Sequence, residues 1–537
     1  MRIRDELAQV YADEEFTDVF GVRGRPGISP AQLMMASVLQ FSENLTDRQA
    51  AEAVRDRITW KYALGLELED PGFDASVLSE FRSRLVAGNL TSLALDALLH
   101  RLVEAGLLRS GGRARTDSTH VLGSIRILNR LELAGESLRA ALEALAVAAP
   151  DWLGLVIDVS WQDIYGARID QAHLPSGQAK REELSLQYGR DGYHLLDQIH
   201  TPDAPSWLVE LPAVEALRRI WVQEFSRRID GDRQEVRRRR PAPEGDGMPP
   251  VRDRLISPYD LDTRYGHKRE TSWSGYKVHF TETCDPPRPE PGSGRGEHPN
   301  LITNVLTTSA AITDTEMTTG IHQQLAGKDL IPGEHIVDAG YPSIDIFLHA
   351  QRTWGMTLTG PLQLDRSAQA RAGNGYDTTA FSINFDAQHA TCPQNVRSRR
   401  WRPARDRTRD LIVVAWSERD CKPCPVKELC TRAPQRNLTI RPREQYEALT
   451  TVRAEQTTQA WKKRYAARAG VEGTMRQSTH VTGIRRARYL GLPKTTLEHT
   501  LAATAINLIR LDAYWSGRTL DRTRTTHLAR LDFTEAA

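Results

Sequence analysis

A chain of 537 residues is too long for one compact core and predicts three or four domains of roughly 100–200 residues each. With 40% apolar and 26% charged residues it is neither a disordered chain, nor a membrane-embedded one, nor a small disulfide-stapled scaffold. Lys plus Arg (71) and Asp plus Glu (69) almost cancel, so any affinity for nucleic acid has to come from where the charges sit rather than from their sum.

The N-terminus carries Asp5, Glu6, Asp13, Glu14 and Glu15 with no apolar segment between them, which excludes a signal peptide. No apolar run approaches the roughly 18 residues of a membrane helix, so no span is expected. Five cysteines, four of them between Cys392 and Cys430, fit a reducing compartment, and the expected location is the cytoplasm.

Residues 1–110 predict helices. Pro30 opens a stripe of Leu33, Met34, Val38, Leu39 and Phe41, Thr46 can cap the next helix, and Asp74 can cap the one after. That spacing serves a helix-turn-helix DNA-binding module or a plain helical bundle equally well. Residues 111–124 predict a strand from Arg113 to Val121. Residues 125–255 predict a helical insertion, beginning at Ile125 and Leu128 and closing in the arginines 237–240 and a Pro/Gly-rich linker, 241–250.

Residues 256–362 alternate as strands and helices. Trp273–Thr281 and Leu301–Leu306 form a hairpin across the loop 286–299, followed by a helix at 315–325, a strand at 335–338, a helix at 343–351 and a strand at 356–360. The order β, insertion, β, β, α, β, α, β predicts an α/β fold with a mixed sheet. Residues 363–455 lose periodicity and form a second insertion, rich in Cys and Arg. Residues 456–475 predict one continuous helix, an apolar helix at 497–511 follows, and 516–537 is a tail.

Three acids occupy unusual settings: Asp117 and Asp338 on strands, and Glu472 on a helix. Asp338 follows two apolar β-branched residues, at the carboxyl end of a strand, where open α/β sheets bind their ligands. At 100° per residue, Tyr465 and Glu472 point within about 20° of each other and Arg468 about 60° away. Carboxylates that converge repel unless cations sit among them, and an oxygen-rich site suits Mg2+ or Mn2+. Two such ions serve an in-line phosphoryl transfer. With 69 acids in the chain, surface charges and helix caps are the bland alternative.

Taken together, segments 28–35, 45–51, 116–120, 257–260, 273–279, 337–341, 465–474, 485–492 and 505–510 resemble those of bacterial insertion-sequence transposases of the DDE type. The resemblance runs from about Arg23 to Arg510. It implies an InsH-like helical N-terminal DNA-binding domain and an RNase H-like catalytic domain, with a helical insertion and a Cys-containing one. It places the family's two aspartates on Asp117 and Asp338 and its glutamate on Glu472, all as ligands of two Mg2+ or Mn2+ ions, with Asp117 between both. Tyr465, Arg468 and Glu472 match a family signature whose last position, a lysine, is Thr479 here. Arg476 or Arg485 then takes over its contact to the DNA end. The implied activity is transposition, a form of DNA recombination: endonucleolytic cleavage at the element ends and transfer of the freed 3′-hydroxyls into target DNA. No covalent protein intermediate is needed. The implied partners are double-stranded DNA, as terminal inverted repeats and as target, and a second copy of the chain, most simply in a dimer bound to the bacterial nucleoid. An RNase H-like nuclease without joining activity and a non-catalytic DNA-binding regulator are the alternatives.

Cys421, Cys424 and Cys430, with Cys392 upstream, have the spacing of a structural Zn2+ site, against the alternative of four reduced thiols in a loose insertion. Seven arginines between 397 and 409, Arg399 and Arg400 among them, and a second group of Arg485, Arg486, Arg488 and Lys494 predict phosphate contacts. Two glycine-containing stretches carry no nucleotide site. Residues 320–328 lack P-loop spacing, and the run Gly292, Gly294, Gly296 has no strand before it or helix after it.

Overall fold

The computed structural model describes residues 2–20, 27–170, 174–230, 233–243, 245–268, 270–285, 299–407 and 409–518. The glycine run 292–296 with most of its loop, Arg23 and the tail from 519 lie outside the described residues.

The central sheet is built from β1 (Arg113–Leu122), β2 (Thr271–Thr283), β3 (Ile302–Ser309), β4 (Glu334–Val337) and β5 (Thr357–Thr359). Its order is β3-β2-β1-β4-β5, and a short strand, Arg264–Lys268, also pairs with β2. β2 runs antiparallel to β1 and β3, whereas β4 is parallel to β1 and β5 to β4. This is the mixed sheet expected from the order of elements, and it is compatible with the RNase H-like fold that the resemblance implies. β2 is buried along most of its length: Tyr276, Val278 and Phe280 enter the core shared with the helices, while on the opposite face His279 meets Tyr341 and Thr281 meets Thr116. Gly275 has φ +148° where β1 ends against it, and a Cβ there would collide with the Val121 carbonyl, so only glycine lets the two strands stay paired.

The N-terminal helices are α1 (Pro30–Ser42), α2 (Asp47–Asp56), α3 (Ile58–Leu64), α4 (Ser76–Ala87) and α5 (Leu93–Glu104). Thr46 and Gln49 form the capping box that opens α2. In the first insertion, α6 (Arg130–Ala148), α7 (Gln178–Ile199) and α8 (Pro212–Glu224) enclose a core of their own around Trp221, Tyr188 and Leu195. Asn129 caps α6, so Ile125 and Leu128 precede the helix instead of starting it. The arginine run is also not loose: Phe225–Asp230 and Arg233–Arg238 pair as an antiparallel ribbon, and Arg240 reaches Glu182. The charges there alternate across strands, a pattern that hid the ribbon from apolar periodicity.

Helices α9 (Asp314–Gly327) and α10 (Ile344–Trp354) connect the parallel strands. The second insertion, where periodicity fades, contains the sheet β6 (Arg400–Asp406), β7 (Arg409–Ala415) and β8 (Asn437–Ile440). Arginines on β6 are exposed, and of its side chains Trp401 packs against the small core that Val414, Leu438 and Ile440 of β7 and β8 enter with Phe381 and Ala390. The helix expected over 456–475 starts late, after the turn that follows α11 (Arg443–Glu455), and is three pieces: α12 (Gln459–Tyr465), a 3₁₀ turn (Ala466–Ala469) and α13 (Gly470–Thr482). The Arg115 guanidinium takes the Ala467 carbonyl at 2.6 Å, and a Cβ at Gly470 would collide with that guanidinium. Finally, α14 (Leu492–Trp515) is buried nearly all round between β3 and the N-terminal helices, so one apolar core runs from α1 through α14 into the sheet. Among the described residues no helix is long and apolar enough to cross a membrane.

Candidate active site

The parallel register sets Thr116 of β1 opposite Val337 of β4, and one step further on lie Asp117 and Asp338. Asp117 keeps 14% of its side chain exposed and accepts the Ser118 N–H at 2.7 Å. Asp338 lies just past the carboxyl end of β4, where its Oδ1 accepts the Gly340 N–H at 2.6 Å. Glu472 projects from the first turn of α13 with 64% of its side chain exposed.

Arg468, on the 3₁₀ turn, joins two of these acids. Its Nη1 stands 3.1 Å from Asp117 Oδ2, 351 positions away in the chain, and its Nη2 stands 2.5 Å from Glu472 Oε1. Burial pushes the Asp117 carboxyl above the usual carboxylate range, against the pull of the Ser118 N–H and of Arg468; the nearby Asp338 charge adds to the push. Among the described residues no three His, Cys, Asp or Glu side chains are grouped to hold a metal ion. The donor set nevertheless fits a hard divalent cation by its chemistry, since its three members are carboxylates, two of which already gather positive charge from the Arg468 guanidinium between them.

An open cavity of about 400 Å³ is lined by Asp117, Ser118, Thr119, Glu472, Met475, Arg476, Thr479, His480 and Arg485. Glu472, Arg476 and His480 follow one another at i, i+4 and i+8 along α13 and so share its exposed face. Arg485 reaches Thr119 Oγ1 at 3.3 Å, while its backbone carbonyl and the Ala487 N–H pair with Leu122, which ties this segment to the end of β1. Thr479 turns its hydroxyl back to the Met475 carbonyl.

Tyr465 stays at the edge of this site: it stacks on Trp461, with ring centroids 4.7 Å apart, and feels the charges of Arg468, Asp338, Asp117 and Glu472. The remaining predicted residues fall elsewhere. Arg488 is committed to the protein: it donates to Leu45 O at 2.8 Å and to Asn44, and lies over the Phe41 ring. It thus clamps α14's entrance to the N-terminal helices instead of facing the cleft. Arg486 is exposed beside Leu122. Arg399 pairs with Asp420 at 3.1 Å, and Arg400 is exposed on β6, so both belong to the small sheet of the second insertion.

Sequence reasoning missed the residues that hold the site in place. Glu282 is fully buried on β2 and takes Arg115 at 2.7 Å, Arg510 at 2.8 Å and the Thr474 hydroxyl at 2.5 Å, locking β1, β2, α13 and α14 together. Asp314, behind the cap Thr313, pairs with Lys277 at 3.0 Å and accepts the Ser118 hydroxyl at 3.4 Å, a fourth acid that flanks Gly340 together with Asp338. Burial opposes its ionisation, yet Lys277 holds its carboxyl below the usual range. For Glu282 the available signal was a charged residue at a position that strand alternation assigns to the interior.

Two family profiles match the chain. The Transposase DDE domain covers residues 391–512 and so includes Glu472, and the Transposase domain (DUF772) covers residues 2–84. Comparison with curated proteins gives no significant match.

Proposed function

We propose, on the premise that this chain is an insertion-sequence transposase of the DDE type, as its two matched domains support, that it cleaves DNA at the ends of its own element and joins the freed 3′-hydroxyls to target DNA. The observation that carries this reading is the meeting of Asp117 and Glu472 on one open polar cleft, bridged by Arg468. Asp117, Asp338 and Glu472 would hold Mg2+ or Mn2+, which when bound stabilises charge on the phosphate oxygens. Arg468 orients Glu472 and keeps cationic charge beside Asp117. Arg476 and Arg485 flank Thr479 on the cleft wall and contact the phosphates of the DNA end in place of the signature lysine, with His480 as a further donor. Because two ends have to be brought together for insertion, the working unit is an oligomer, most simply a dimer. The substrate places it with the DNA of the bacterial cytoplasm.

The test uses short duplexes of the element ends, intact or pre-cut, with Mg2+. Asp117→Asn is expected to lower both cleavage and joining by about 10³-fold or more while binding to the same duplex is retained. Full cleavage by Asp117→Asn would remove the assignment. Cleavage of intact ends without joining of pre-cut ones would leave a nuclease.

A further inference from the structure

Cys392, Cys421, Cys424 and Cys430 leave the backbone at three different places in the second insertion, yet all four line one cavity of about 40 Å³. All are free thiols and part-buried. Two tight turns present them. The Cys392 carbonyl accepts the Asn395 N–H at 2.8 Å, with Asn395 at φ +59°, and the Cys421 carbonyl accepts the Cys424 N–H at 3.2 Å. Cys430 closes the short helix Lys427–Cys430 on the opposite side.

A second observation points to negative charge in this cavity. Arg436 lines it, is only 8% exposed, and has a buried Nε–H without a hydrogen-bond partner. Its other nitrogens donate to the carbonyls of Cys430 and Tyr376, at 3.1 and 3.3 Å, its Cζ lies 5.4 Å from the centre of the Phe381 ring, and among the described residues no carboxylate pairs with it. A buried guanidinium held by carbonyls and a ring face, with one N–H left over, is still costly unless an anion faces it. Neutral thiols do not supply one, whereas four thiolates around a divalent cation carry a net charge of about −2.

The packing asks for the same thing. The apolar centre of this insertion consists of six buried side chains, Phe381, Ala390, Val414, Trp416, Leu438 and Ile440. So small a core rarely holds a fold without a staple. Soft thiolate ligands select zinc among the common divalent ions.

We propose that Cys392, Cys421, Cys424 and Cys430 bind one structural Zn2+ that pins these turns to the β6-β7-β8 sheet. The thiols line the cavity wall without being grouped at ligating distance, so binding draws the sulfurs inward and releases their protons. Asp420, next to Cys421, pairs with Arg399, so the pinned turn also sets the arginine ribbon of β6 and β7. None of the cavity's lining residues belongs to the catalytic cleft, and the proposal stands apart from the reaction assigned there.

The test is metal analysis of the full-length protein, purified without chelator and dialysed against buffer containing trace Zn2+. One zinc per chain is expected, lost in Cys392→Ser and in Cys424→Ser and kept in Cys284→Ser. Because the serine variants can also misfold, the wild-type protein gives a second measure. Its four clustered thiols should resist a thiol-specific chromogenic reagent while zinc is bound, and react at least about tenfold faster after chelation. Absence of bound zinc, equal thiol reactivity with and without it, or zinc lost in Cys284→Ser but kept in Cys424→Ser would overturn the proposal.

Discussion

Asp117 carries a largely buried carboxylate to the wall of the open cleft, where Arg468 pairs with it and Lys268 adds a weaker pull. Because its folded pKa lies above the ordinary value, the folded state binds the proton more tightly than the unfolded state does. Its ionisation therefore subtracts stability, an effect absent at low pH and growing as pH rises through and above the ordinary carboxylate range. Asp117→Asn should accordingly raise the Tm of the metal-free protein at pH 7 and leave it nearly unchanged near pH 3; a lower Tm at pH 7 would show that the Arg468 contact outweighs the burial cost. Asp117 and Asp338 are legible in the sequence, since each interrupts or ends a strand with a charge that packing does not need. Asp314 is not, because an acid in the first turn of a helix is indistinguishable from an ordinary dipole-stabilising residue until the fold sets it against Ser118 and Lys277.

At the scale of elements, α13 owes its position to Glu282 as much as to apolar packing. That carboxylate, fully buried, holds Arg115, Arg510 and Thr474 at once, and Arg115 also grips the 3₁₀ turn that carries Arg468. Removing one member of a buried ionic cluster leaves the others unpaired and costs about 3–5 kcal/mol. Glu282→Ala should lose about that much in urea unfolding. Where the fold survives, hydrogen exchange should accelerate first across residues 470–482; protection there equal to wild type would show that α13 stands without the cluster. The break at Ala466–Ala469 was hidden for a related reason: no proline marks it, a single Gly470 is tolerated inside helices, and the force that tightens the turn is a guanidinium contributed from a strand about 350 positions earlier.

Over the whole molecule, the shared core has consequences for pH. Burial holds His279 and His322 down to about 4 and His499 to about 3, and His335 well below its ordinary value, so all four stay neutral in the folded protein. The unfolded chain protonates them below about pH 6.5. Their contribution is thus complete above that pH and is lost as pH falls toward 4, at ~1.4 kcal/mol per pH unit for each histidine. Glu498, pushed up to about 7 by burial, works the other way between its ordinary value and 7, offsetting one histidine of the four. Urea unfolding should show stability falling steadily from pH 6.5 to 4.5, with a shallower slope in His499→Asn; a flat profile would mean that these rings take up protons without opening the core.

By itself the sequence determined the kind of fold and singled out Asp117, Asp338 and Glu472 as candidate acids. Strand and helix periods, capping residues and charges at strand ends are local properties, written within a few positions of where they act. Only the tertiary structure decided that the N-terminal helices share a core with the catalytic sheet through α14, that Arg468 lies between Asp117 and Glu472 while Arg488 is withdrawn from the cleft, and that four thiols from distant turns face one cavity. Each of these depends on contacts between residues tens to hundreds of positions apart, where burial and pairing, not local propensity, set the energy.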